Sequence, residues 1–196
     1  MALGDSAAAV ASFHAALDAV LTIEEKNHWI VPHNASESWQ LISERIASAP
    51  HTAVQDDHGF LFFDQCFLIQ PVSNKLHVVT RGDVDLMTAT LLFNLALAYI
   101  GTRGKHADVV AQVCQTAFDV MGKVTVMGEG RSLLVALCNN IASLALDRQD
   151  FETFETHRLL LGMILGETGQ PCFFANFFAG NFATTCDAQK RPAAAA

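Results

Sequence analysis

Eight histidines and five cysteines carry most of the chemistry available to this 196-residue chain. The histidines are His14, His28, His33, His51, His58, His77, His106 and His157. None forms the HExxH pair that places two zinc ligands on one helix face. His51, Asp56, Asp57 and His58 are the densest group, and their mixed nitrogen and oxygen donors could hold a metal loosely. A polar loop ahead of a strand explains the same residues. The cysteines, Cys66, Cys114, Cys138, Cys172 and Cys186, are odd in number and include no close CxxC pair. They match neither a disulfide framework nor a zinc site. A thiolate nucleophile needs an electropositive neighbour. Cys66 is flanked by Gln65 and Phe67 with Asp64 nearby, which argues for a neutral or buried thiol. Gly128-Glu129-Gly130 is too short to cradle a phosphate and follows no strand. These residues point to no cofactor, no metal and no catalytic set. A small enzyme, or a metal- or small-ligand-binding protein using His, Cys and Asp, is the alternative. A closed pocket pairing His with Asp or Cys would decide for it.

The balance of 20 acidic against 12 basic residues, a formal charge of −8, repels phosphate backbones. No basic patch with interleaved aromatics relieves it, so nucleic acid is excluded as a partner. An apolar share of 51% is far from a disordered composition, and the length suits one domain with a sizeable core. Cys114 and Cys138 fall on apolar helical faces, where reduced thiols act as small hydrophobes. That favours an intracellular, reducing compartment, the cytoplasm ahead of nucleus or organelle. The triplet Asn34-Ala35-Ser36 matters only on a secretory path. Met1 to Leu21 is Ala-rich, but Asp5, His14 and Asp18 interrupt it and no basic residue precedes it, so it makes a poor signal peptide. No membrane span is expected either, the closest window being Leu133 to Leu146, which is short and holds two asparagines.

The elements that must position any site are mainly helical. Asp5-Ser6 offers a cap, and Val10, Phe13, Leu17 and Leu21 recur at helical spacing over 6–22. After the break at Pro32, Ser36 or Ser38 could cap a helix carrying Trp39, Leu41, Ile42 and Ile46. Residues 51–85 predict a short β-hairpin or extended insertion, with strand-favouring runs at Phe60–Phe63, Cys66–Ile69 and Leu76–Thr80. The aromatic run is expected to pack over the helical core, with a ligand-facing role as the alternative. Helices follow over 86–101, capped by Asp83 or Asp85, then 107–121, 132–146 and 151–165, with short turns that favour antiparallel neighbours. The tail from 169 carries Phe173, Phe174, Phe177, Phe178 and Phe182, at spacings that let a short helix dock on the end of the array. Left exposed, they would form a contact surface. The expected division is therefore one helical domain over 1–168, including the insertion, with a Phe-rich cap or tail over 169–196.

Two blocks repeat. Leu92-Phe93-Asn94-Leu95-Ala96-Leu97-Ala98-Tyr99 is echoed by Cys138-Asn139-Asn140-Ile141-Ala142-Ser143-Leu144-Ala145 once Asn94 is aligned with Asn140, 46 residues on. A repeat of this length usually means stacked helix pairs, because one pair cannot bury its own apolar face. The blocks resemble tetratricopeptide repeats. Asn94, Leu95, Ala96, Ala98 and Tyr99 fit that family's first helix, and Val110, Cys114 and Ala117 fit its second. Asn140, Ile141, Ala142, Asp150, Phe151 and Phe154 match in the next block, while Leu161 stands where alanine is usual. The period exceeds the family's usual ~34 residues, and residues 51–85 have no counterpart in it. The FNLALAY block and the later Asn-Asn pair also resemble blocks of algal proteins, which adds fold support and no chemistry.

The resemblance implies an irregular stack of TPR-like α-helical hairpins that binds a partner protein or peptide in a groove lined by its first helices. Candidate groove residues are Thr90, Phe93, Asn94, Leu97, Ile100, Leu137 and Asn140, with Phe173 and Phe177 of the tail. Asn94 and Asn140 are expected first to bond between adjacent helices, with groove contact as the sharper alternative. The helix over 86–100 has no basic residue, which disfavours the carboxylate clamp known in one subset of the family. The function expected is a non-catalytic interaction scaffold or assembly subunit. A purely structural subunit of a large complex differs in needing no peptide affinity and in exposing apolar ends.

Overall fold

The computed structural model describes residues 3–26, 39–44, 60–71, 80–100, 107–122, 130–166 and 175–189. Among them are six helices and two strands: α1 (Leu3–Lys26), β1 (Trp39–Glu44), β2 (Cys66–Pro71), α2 (Arg81–Ile100), α3 (Ala107–Met121), α4 (Gly130–Asp147), α5 (Phe151–Gly166) and α6 (Ala175–Gln189). The chain is mainly α, as expected.

Local chemistry sets the helix starts. Thr80 and Asp83 cap α2 reciprocally: the Thr80 N–H donates to Asp83 Oδ2 at 2.8 Å and the Asp83 N–H donates to Thr80 Oγ1 at 3.1 Å. The helix therefore begins five residues earlier than the expected start at 86, and Asp83 lies inside it. Between α4 and α5 the chain reverses in three residues. Gln149 takes φ of 60°, and Asp150 caps α5, accepting from the Thr153 N–H at 3.1 Å.

Helix α1 packs on α2, α2 on α3, α3 on α4, α4 on α5, and α6 on both α5 and α4. Asp108 lies beside Arg148 while Gln115 and Ile141 line the same cleft, so α3 and α4 run in opposite senses. Central to the array is α4, which is buried almost throughout between Gly130 and Leu146. Its Leu133, Leu137 and Cys138 share a core with Phe93 of α2, Cys114 and Met121 of α3, Leu161 of α5 and Phe178 of α6. The close approach of α5 and α6 depends on Gly162, where an added Cβ would lie 2.7 Å from a ring carbon of Phe182.

Where a helix carrying Trp39, Leu41, Ile42 and Ile46 was expected, Trp39–Glu44 is a strand, and Ile46 lies outside the described residues. β1 runs antiparallel to β2, with Leu41 opposite Ile69 and Ser43 opposite Phe67. Six residues rich in Trp, Leu and Ile suit an extended pair as well as a helix turn, and the edge of β2 supplies the ladder. Of the strand-favouring runs expected to form a short hairpin or extended insertion, Cys66–Ile69 lies in β2. The observed partner precedes it in the chain, and residues 72–79 lie outside the described residues. Helix α2 is also a longer apolar stretch than 133–146. By length and composition it could cross a membrane, with mean hydropathy 1.4, and 56% of that window is buried inside the chain.

Candidate interaction groove

A bare stretch of extended chain, Phe60 to Gln65, precedes β2 and makes almost no strand ladder of its own. Its buried main-chain groups need partners all the same. Asparagine side chains supply them. Asn94 of α2 takes Phe67: the Phe67 N–H donates to Oδ1 at 3.0 Å and Nδ2 donates to the Phe67 carbonyl at 2.7 Å. Asn140 of α4 takes Phe63 in the same two-point manner, at 2.8 and 2.9 Å. Asn181 of α6 takes Leu61, at 3.1 and 2.7 Å.

A primary amide holds one donor and one acceptor side by side, the pair that a strand residue offers to the residue opposite it in an antiparallel ladder. Each asparagine thus stands in for a neighbouring strand. The clamped residues 61, 63 and 67 are all odd-numbered, as they must be, because alternate residues of an extended chain turn their N–H and C=O to opposite edges. Asn139 locks the set. Its Nδ2 donates to the Leu61 carbonyl at 3.0 Å and to Asn140 Oδ1 at 3.2 Å, while its Oδ1 accepts from Asn181 Nδ2 at 2.6 Å. Swapping oxygen and nitrogen in any of these amides would set donor against donor, so the network fixes their orientation. Each bond contributes about 1 kcal/mol net, and each orphaned group would cost more than that.

Aromatic rings hold the same segment from its faces. Phe63 stacks on Phe67 at 5.8 Å between centroids and meets Phe178 at 5.1 Å and Phe177 at 5.7 Å. Phe93 of α2 packs against Phe67 at 5.4 Å. At the other end Phe60 meets Phe154 edge-on at 5.9 Å, beside Ala142, Ala145 and Leu146. Asp64, Leu68 and Gln70 face outward.

The candidate groove residues divide accordingly. Phe93, Asn94, Asn140 and Phe177 converge on the 60–67 segment. Leu137 is fully buried in the common core, Leu97 and Ile100 pack against that core, and the Thr90 hydroxyl donates to the Leu86 carbonyl in its own helix. Phe173 lies outside the described residues. The expectation that Asn94 and Asn140 bond between helices is corrected: both bind the main chain of the segment, and the interhelical amide bond is Asn139 to Asn181. Asn139 and Asn181 were not among the candidates. Their sequence signal is that asparagine disfavours helix interiors, so two in mid-helix among apolar neighbours need a partner.

No protein family, curated protein or solved structure matches the chain. The remaining titratable groups are placed as follows. His14 Nε2 lies 3.1 Å from the Tyr99 hydroxyl, joining α1 to α2. His157 Nδ1 lies 2.9 Å from the Thr153 carbonyl, and its ring meets Phe118 edge-on. Burial pushes the thiols of Cys114 and Cys138 up to about 12. Among the described residues no three His, Cys, Asp or Glu side chains group to hold a metal, and the His51, Asp56, Asp57 and His58 set lies outside them. An open cleft of about 280 Å³ between α3, α4 and the start of α5 is lined by Asp108, Gln112, Arg148 and Thr153, with no His or Cys. Arg148 bonds there to Asp108 and to the Ala107 carbonyl.

Proposed function

We propose that the chain is a non-catalytic protein-interaction scaffold, built as an irregular TPR-like stack of helix pairs that holds extended polypeptide along a groove. The observation that carries this reading is the asparagine ladder: Asn94, Asn140 and Asn181, one from each of α2, α4 and α6, bind successive points of one extended strand. Main-chain recognition of this kind grips a strand whatever its sequence, and the surrounding rings select side chains. The partner is another protein or peptide, and the acidic balance of the chain favours a neutral or basic one.

The test is affinity purification of the tagged chain from its native cells at moderate salt, with Asn94→Ala and Asn140→Ala variants in parallel. A stoichiometric protein set retained by the wild-type chain and lost from folded variants is the expected result. Retention that ignores both substitutions would move the partner site elsewhere, and recovery of the chain alone would favour a small-ligand function.

A second reading, a structural subunit of a larger assembly, draws on one observation. Phe151, Leu159 and Met163 are exposed along one face of α5, at 65%, 51% and 67%. Large exposed side chains at helical spacing form a patch of the kind that subunit contacts cover. Phe151→Ser with Met163→Ser would then release the chain from its complex without affecting peptide affinity.

A further inference from the structure

We propose that residues 60–67 are an intramolecular stand-in for a partner's strand, and that the groove takes in trans an extended, aromatic peptide of the same pattern. This rests on the scaffold reading above and specifies its ligand. The occupant itself defines the chemistry. Two-point amide clamps engage positions 61, 63 and 67, so a ligand needs a free N–H at each and cannot carry proline there. The buried rings of Phe60, Phe63 and Phe67 require aromatic or large apolar side chains at offsets of three and four residues. Positions 64, 68 and 70 face outward and are unrestricted.

Exchange is feasible because the clamps do not distinguish one backbone from another. A partner strand makes the same hydrogen bonds that the resident segment gives up, so the contest is decided by side chains and by tethering. Tethering gives the resident an effective concentration of about millimolar. A free peptide of identical sequence therefore half-displaces it only near that concentration, and a ligand that fills the ring pockets better does so lower. Truncating Phe63 in the resident weakens it on the order of a hundredfold and should open the groove by that factor.

The probe is a synthetic peptide of residues 60–70, with a solubilising lysine tail and a fluorescent label, titrated by anisotropy into the full chain. Expected is weak binding to the wild type and about hundredfold tighter binding to Phe63→Ala, abolished when Asn140→Ala is added. The same peptide N-methylated at its Phe63 amide loses one clamp bond with no change of side chain, and should bind at least tenfold more weakly. If Phe63→Ala loses its helical circular dichroism, the peptide should restore it by filling the vacated place. The proposal is overturned if the peptide near millimolar neither binds nor restores Phe63→Ala, or if N-methylation and Asn140→Ala leave binding unchanged. Mixed dimers of wild-type and Phe63→Ala chains that refuse free peptide would make a second copy the occupant and also overturn it. Partner capture in cells that depends on Asn94 and Asn140, beside a failed peptide, would leave the scaffold reading standing and remove only this ligand. Peptide binding beside capture that ignores both asparagines would do the reverse.

Discussion

Asn140 offers the most direct test of the ladder, because it is fully buried and both of its main-chain bonds go to one residue, Phe63. Asn140→Leu keeps the branching of the side chain and removes donor and acceptor together. The Phe63 N–H and carbonyl then lose their Asn140 bonds in a dry core, at about 1–3 kcal/mol each, for an expected loss of about 3–5 kcal/mol. With a urea m-value of about 2 kcal/mol/M, the unfolding midpoint followed by circular dichroism should fall by about 2 M. Asn140→Asp separates hydrogen bonding from shape. Ionised, its carboxylate still accepts from the Phe63 N–H but faces the Phe63 carbonyl with a second acceptor. Protonated, it regains one donor and one acceptor and rebuilds the clamp. Burial and the facing carbonyl raise its folded pKa above the unfolded value of about 3.9. A raised folded pKa means stability that is present below the unfolded pKa and lost as pH rises through the folded one. The deficit against wild type at the same pH should therefore be largest at pH 7 and shrink towards pH 4, by about 2 kcal/mol for a two-unit elevation. A Leu variant that loses less than about 1 kcal/mol, or an Asp variant with the same deficit at both pH values, would refute the clamp as an energetic element.

Gly162→Ala should destabilise by about 1–2 kcal/mol because the new methyl meets the Phe182 ring. In a Phe182→Ala background the sign should reverse, to a gain of up to about 1 kcal/mol from helix propensity, read from a thermal-melt double-mutant cycle. At pH 8 a thiol at about 12 holds roughly a thousandfold less thiolate than an ordinary one. Cys114 and Cys138 should stay unmodified by iodoacetamide in the native chain and react in denaturant, while half-buried Cys66 reacts ahead of both; mass mapping decides. The Thr153 hydrogen bonds hold the Asp150 carboxyl below its usual 3.8. A lowered folded pKa stabilises above the unfolded value, so the stability gap between wild type and Asp150→Ala should close as pH falls below about 3.8, which acid titration of helical signal would measure.

Much of the helical frame was legible because apolar spacing over ten or more residues has one geometric meaning. The helices at 107–121 and 151–166 match the spacing closely, and the start of α2 was missed because a Thr80–Asp83 cap is cheaper than the one expected at Asp83 or Asp85. Trp39–Glu44 was misassigned, since six residues are too few to separate the helical from the strand period and the pairing with β2 decides between them. The aromatic run does pack over the helical core, as its composition suggested. The ladder was half legible. Asn94 and Asn140 stood out as a repeated pair, yet their target is main chain, which leaves no mark in a sequence. Asn181 escaped because it lies 41 residues beyond Asn140, outside the 46-residue register, among phenylalanines that drew attention to themselves.

The order of the clamps along the chain bears on how the protein is made. Phe67, Phe63 and Leu61 wait for side chains that follow by 27, 77 and 120 residues. At about 5–20 residues per second, the aromatic run emerges from the ribosome some 6–24 s before its last clamp is synthesised. During that interval it has β1, then α2 to α5, to lie against, but not Asn181 or the Phe177 and Phe178 rings of α6. The nascent chain is thus most exposed to miscoupling and chaperone capture just before α6 appears, and truncations upstream of Asn181 should aggregate more readily than those that retain it.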